Sequence, residues 1–113
     1  MPPRGWELRI RDILDAAAAI REYVAEMDFD AFCADRKTID AVVRNITVIG
    51  EAAGHMPREL WDAHPEVPWK LMRDFRNVVV HVYFGIDKKI VWDTVQNDLP
   101  RLIPLLERLL VSC

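Results

Sequence analysis

Cysteine is scarce in this chain, glycine is sparse, and no long apolar run occurs. The two cysteines, Cys33 and Cys113, lie far apart. That rules out a disulfide framework and fits a reduced, cytoplasmic setting. Only four glycines are present and none of them cluster, so no glycine-rich loop is available to cradle a nucleotide phosphate. No apolar stretch approaches the roughly 18–20 residues needed to cross a bilayer. The start, Met-Pro-Pro-Arg-Gly-Trp-Glu-Leu-Arg, lacks the apolar core of a secretion signal, and no signal peptide is expected.

Basic excess is missing as well. The formal net charge is −3 and the sequence pI about 5.6. Proteins that coat nucleic acid non-specifically use broad basic surfaces. Any binding to RNA should therefore be focused on a local cleft or an assembled groove, and DNA is not an expected partner. His55 and His64 have no carboxylate or thiol constellation around them, so neither a metal nor another cofactor is expected.

What is present is helical patterning in an ordinary globular composition, 51% hydrophobic and 29% charged. The length of 113 residues suits one domain, 1–113, with a single core. Trp6, Ile10, Ile13, Ala17, Ile20, Val24 and Met27 follow helical spacing and predict an amphipathic helix over about 6–27. Asp28-Phe29-Asp30 breaks it. Asp35 is placed to cap a second helix over about 36–56, with Ile39, Val42, Val43, Ile46, Ile49 and Ala53 on one stripe. Pro57 suits the first turn of a short helix to about His64. Residues 64–68 are turn-like, and Pro68 opens a fourth helix over about 69–84. Gly85 ends that helix and Asp87 caps a fifth over about 88–111. Pro100 and Pro104 predict a kink or break near 97–100. The fold expected is all-α: an up-and-down bundle of four main helices plus a short one. Trp69, Trp92 and Cys33 are assigned to the core, and Gly50 to a close helix contact.

The fourth helix carries the chemistry. On an ideal helix Leu71, Met72, Phe75, Val78, Val79 and Val82 share one arc, the expected core face. The opposite arc holds Arg73, Asp74, Arg76, Asn77, Val80, His81, Tyr83 and Phe84. Arginine offers a planar fork of donors to phosphate oxygens. Histidine exchanges protons near neutrality. Arg76 and His81 are separated by roughly 140° around such a helix, with apolar Val80 and Phe84 between them. That arc is expected to pack against another surface, and a two-fold dimer would build a cleft from two such arcs. Lone histidines and arginines on helices are ordinarily surface residues. Asp74 could orient His81 or pair with Arg73, Asn77 could be a packing amide, and Tyr83 could be a rim aromatic. Arg44 and Glu51, seven residues apart on the second helix, share a face and could pair with each other or line a groove.

Arg76-x4-His81-x-Tyr83, with Asn77 directly after the arginine, resembles the Rx4–6HxY-type motif of the HEPN superfamily, and more narrowly the HepT-like toxins. The segments Arg44–Ala52, Pro65–Trp69, Asp87, Val91-Trp92 and Asp98-Leu99-Pro100 extend the likeness over nearly the whole chain. Residues 1–5 and the tail after about 105 add nothing to it. The resemblance implies a HEPN-like bundle acting as a homodimeric, metal-independent endoribonuclease. Arg76 and His81 would be the catalytic pair, with Asn77, Arg73 and Asp74 in support and Arg44 and Glu51 as possible groove residues. It also implies a partner, a minimal nucleotidyltransferase antitoxin of the MntA type, which would transfer AMP to Tyr83. A different reading is a non-catalytic helical module that docks a nucleotidyltransferase or binds nucleotide, and the acidic pI leans that way. A weaker third reading is a plain helical dimerisation domain, in which the arginine and histidine are incidental.

Overall fold

The computed structural model describes residues 5–77 and 87–111. Over these residues the chain is all-α, as the hydrophobic periodicity predicts, and no strand occurs among them. Helix α1 spans Trp6–Tyr23 and buries Ile10, Ile13, Ala16, Ala17 and Ile20 along one stripe. It ends a turn earlier than its periodicity suggests. Val24 takes a non-helical conformation yet stays buried, so the apolar pattern outlasts the helix.

Asp28 then starts an element that the sequence hides. Its side chain accepts a hydrogen bond from Ala31 N–H at 2.8 Å and caps a six-residue helix, α2, Phe29–Ala34. What reads as a break is the start of a helix. Asp35 caps the next helix, accepting from Thr38 N–H at 3.1 Å. Helix α3 spans Arg36–Gly54 and buries Ile39, Val42, Val43, Ile46, Ile49 and Ala53. Pro57 precedes the short α4, Arg58–Ala63. Trp69 opens α5, Trp69–Asp74.

Here the structure departs from a single helix over 69–84. After Asp74 the chain tightens, with Phe75 N–H bonding Met72 C=O at 3.1 Å and Arg76 N–H bonding Arg73 C=O at 3.3 Å. These are three-residue rather than four-residue closures, which wind the backbone more tightly. Trp69, Met72 and Phe75 face the core at three-residue spacing, and Leu71 is left 41% exposed. Leu71 therefore does not join the predicted core arc. Val78, Val79, Val80, His81, Val82, Tyr83, Phe84 and the stop at Gly85 lie outside the described residues.

Asp87 caps helix α6, Lys88–Asp93, accepting from Lys89 and Ile90 N–H. A π-type turn, Thr94–Asp98, links it to α7, Leu99–Val111. The predicted break thus begins some three residues earlier than expected. Pro100 has no N–H to give to the carbonyl of Gln96, and its ring crowds that oxygen. A widened turn relieves the crowding: Leu99 N–H reaches back to Thr94 C=O. The proline then sits in the first turn of α7, where no donor is needed.

The core lies where α1 packs on α3, α3 on α5, and α7 on α1. Met72, Leu99, Leu102 and Leu106 are essentially sealed. Trp69 is buried as expected, whereas Trp92 is half-buried and packs its ring 5.2 Å from that of Phe32. Cys33 is half-buried rather than a core residue. No helix among the described residues is long and apolar enough to cross a membrane.

Candidate functional site

Gly50 determines where Arg76 sits. A Cβ on Gly50 would lie 2.7 Å from Arg76 Cγ, 2.9 Å from Arg76 N and 3.2 Å from Arg73 O. Real side chains do not tolerate such distances, so only a glycine lets the tight turn at 75–76 lie directly on α3. One helical turn on, a Cβ on Gly54 would meet Arg73 Cγ at 3.5 Å and Arg76 Nη1 at 3.8 Å. The two glycines form a smooth strip over which both arginines run. Gly50 was singled out by sequence for a close helix contact. Gly54, at the i+4 position, was not, although the paired spacing was there to be read.

Arg76 is held loosely at its polar end. Its Nε donates to Arg73 O at 3.3 Å, and Nη1 approaches Glu51 Oε1 at 3.9 Å. The Arg76 and Glu51 side chains keep 45% and 53% of their exposure. An ion pair that wet contributes little to stability, about 0–1 kcal/mol. Its effect is to aim the guanidinium while leaving most donors open to a ligand. Glu51 also lies 3.7 Å from His55 on the next turn.

Arg73 is braced differently. Its guanidinium lies over the Trp61 ring at 5.6 Å from the centroid, and Trp61 stacks on Trp69 at 6.3 Å with planes 9° apart. Trp69 Nε1 donates to His64 C=O at 3.0 Å, which anchors the stack. Asp74 pairs with Arg73 at 3.6 Å, one of the two roles open to it from sequence. Arg73 and Arg58 share a hollow of about 200 Å³ with Trp61. Trp61 is the shelf that sequence reasoning missed, because a tryptophan on a six-residue helix gives no periodic signal.

The other predicted residues separate into clear groups. Asn77 is exposed directly after Arg76. His81 and Tyr83 lie outside the described residues. The suggested Arg44–Glu51 pair does not form: Glu51 pairs with Arg76 and lies beside His55. A separation of seven residues along a helix spans about 10 Å, too far for a direct bond. Both side chains instead line a cavity of about 610 Å³ between α1 and α3. Among the described residues, no group of three His, Cys, Asp or Glu is arranged to hold a metal ion.

An all-α bundle that seats an exposed arginine on a glycine strip, with a second arginine braced on tryptophan beside it, defines a small helical protein with a local cationic site on an acidic body. The family follows from comparison with known proteins. The chain belongs to the "Ribonuclease HepT-like" family, whose model matches residues 13–109. It is 39% identical over 100 residues to "Probable ribonuclease HepT" of Thermococcus cleftensis, covering 88% of this chain and 91% of that protein. A protein of Methanocaldococcus jannaschii that carries RNase in its name is 38% identical over 110 residues, 97% of this chain and 91% of its own length. Another, from Caldanaerobacter subterraneus and similarly named, is 33% identical over 93 residues, covering 82% of this chain and 83% of that one. No solved structure gives a significant match.

Proposed function

We propose that this protein is an endoribonuclease that needs no metal ion and acts as the toxin of a toxin–antitoxin pair in the cytoplasm. The observation that carries the reading is the seat of Arg76. An arginine whose backbone and Cγ press onto Gly50, and whose guanidinium runs past Gly54, steered by Glu51 and left half-exposed, is built to receive an anion rather than to stabilise a core. The match to ribonuclease-named relatives over most of the chain supports RNA as the source of that anion.

In RNA the nucleophile is part of the substrate. The 2′-oxygen bonds to the adjacent phosphorus, the bond from phosphorus to the 5′-oxygen breaks, and a cyclic phosphate and a free 5′-hydroxyl result. His81 takes the proton from the 2′-hydroxyl or delivers one to the departing oxygen. Arg76 binds the non-bridging oxygens and stabilises the charge that grows on them. Asn77 orients a phosphate oxygen or His81. Arg73, held by Trp61 and Asp74, adds positive potential along the strand. Two subunits face one another, so that RNA lies in a groove lined by both.

Control acts through Tyr83. A nucleotidyltransferase antitoxin transfers AMP from ATP to the phenol oxygen, with pyrophosphate leaving. The added phosphate competes for Arg76 and blocks the groove. The test is RNA incubated with wild type and with His81→Ala in the presence of EDTA. Cleavage that survives chelation and is lost in the variant is expected. No cleavage by either protein overturns the enzyme and favours a docking module. Intact mass after incubation with the antitoxin and ATP should rise in multiples of AMP, and Tyr83→Phe should abolish the rise.

A further inference from the structure

The cavity between α1 and α3 has a floor of Val43, Thr47, Val48 and Ala52 and a rim of charged side chains. Two arginines, Arg9 and Arg44, are outnumbered there by Asp12, Asp40 and Glu51. A phosphate backbone would meet net repulsion in it, so RNA is a poor occupant. The order of the charges along α3 points elsewhere. Arg44 and Glu51 lie equally far from the midpoint between Thr47 and Val48, on opposite sides of it. Asp40 and His55 do the same one turn further out, and so do the apolar Val43 and Ala52.

A helix with that arrangement is complementary to itself when reversed. We propose that the exposed face of α3 packs antiparallel on α3 of a second copy, about a two-fold axis through Thr47 and Val48. Each Glu51 then meets Arg44 of the partner subunit, and each Asp40 meets His55 of the partner subunit. Thr47 and Val48 lie against each other at the axis, where an isologous contact places a residue beside its own counterpart. Val48 is 37% exposed in the single chain, an apolar residue on a wet face until it is covered. Arg44 forms no ion pair among the described residues, while Asp40, one turn before it, pairs with Arg36. Facing α3 helices at the usual 8–10 Å would bring Arg44 to a carboxylate.

This seam rests on the homodimer of the proposed function and gives it a register. It also ties the interface to the site. Glu51 would lie between Arg76 of its own chain and Arg44 of the partner subunit, so each copy contributes a cation beside the other's Arg76. Dimer formation would thereby adjust the residue that aims the phosphate-binding guanidinium.

Charge reversal tests the register. Wild type is expected to run at twice the 13.1 kDa chain mass in light scattering. Arg44→Glu and Glu51→Arg should each run as monomers, because like charges then face each other twice across the axis. The double variant R44E/E51R should recover the dimer. Far-UV circular dichroism reports whether each variant folds. Where a single variant is unfolded, Val48→Cys in a Cys33→Ser/Cys113→Ser background replaces it, and mild oxidation should link two chains through position 48. A dimer that persists in both folded single variants and resists that cross-link overturns this seam and leaves the ribonuclease reading standing. A monomeric wild type that cleaves RNA overturns both the seam and the two-subunit groove, but not the enzyme.

Discussion

At the scale of single residues, the site depends on a glycine as much as on an arginine. Gly50→Ala puts a methyl group 2.7 Å from Arg76 Cγ and 2.9 Å from its backbone nitrogen. Overpacking of that kind costs about 1–3 kcal/mol, and it displaces Arg76 from the strip. A lower thermal midpoint together with weaker RNA cleavage is the expected outcome. Arg76→Ala should separate those two effects. The side chain is 45% exposed and weakly paired, so stability should move by less than about 0.5 kcal/mol. Cleavage should fall on the order of 10²–10³-fold, as when a donor to a developing oxyanion is removed. An Arg76→Ala protein that is destabilised yet fully active would assign the residue a structural role instead.

At the scale of elements, the caps carry the pH dependence. The backbone N–H of Thr38 holds the Asp35 carboxyl below its ordinary value, assisted by the Thr38 side chain. A carboxyl lowered in the folded state contributes stability that is complete above the unfolded value and is lost as pH falls through the folded one. Asp35→Asn keeps an oxygen at the cap and should flatten the acid limb of stability measured by urea unfolding. Asp98 has the opposite sign. Burial raises its carboxyl, against the pull of Arg101, so its burden on the fold grows as pH rises through the raised value. Asp98→Asn should therefore stabilise the protein near neutrality and give no gain at low pH. The packing of α1 on α3 is tested by Ile46→Ala, which empties a sealed position and should cost about 2–5 kcal/mol.

The same elements explain how much could be read in the sequence. Helices α1 and α3 were legible because long stripes such as Ile39, Val42, Ile46 and Ile49 repeat one period over many turns. Caps were legible where an aspartate directly precedes a helix, as Asp35 does for α3 and Asp87 for α6. Helix α2 was hidden because six residues hold too few turns to show a period, and because the apolar pattern of α1 runs on past its end almost to Asp28. The tight turn at 75–76 was hidden for a different reason. No proline or glycine lies within it; the cause is Gly50, far away in the chain, which lets the backbone settle onto α3. Arg44 and Glu51 were correctly placed on one face, but their partners depend on what is opposite, and spacing along one helix carries no such information.

At the scale of the whole molecule, an acidic chain is proposed to handle a polyanion. The two are compatible if RNA meets Arg73, which shares a hollow with Arg58 and Trp61, and Arg76 beside it on the glycine strip, while the mixed-charge α3 face is occupied by a second copy. Because phosphate contacts release counterions, RNA binding should weaken with salt along a shallow slope set by a few contacts, in contrast to a broad basic surface. The central claim is that the RNA supplies its own nucleophile, and the end groups of the products test it most directly. Unmodified protein, checked by intact mass, is given an RNA oligonucleotide and its all-deoxy counterpart in EDTA, and the products are weighed. The account predicts cleavage of RNA alone, leaving a 5′-hydroxyl and a cyclic or 3′-phosphate, and no cleavage by Arg76→Ala/His81→Ala. Cleavage of the deoxy strand, 5′-phosphate products, or no cleavage at all would contradict it.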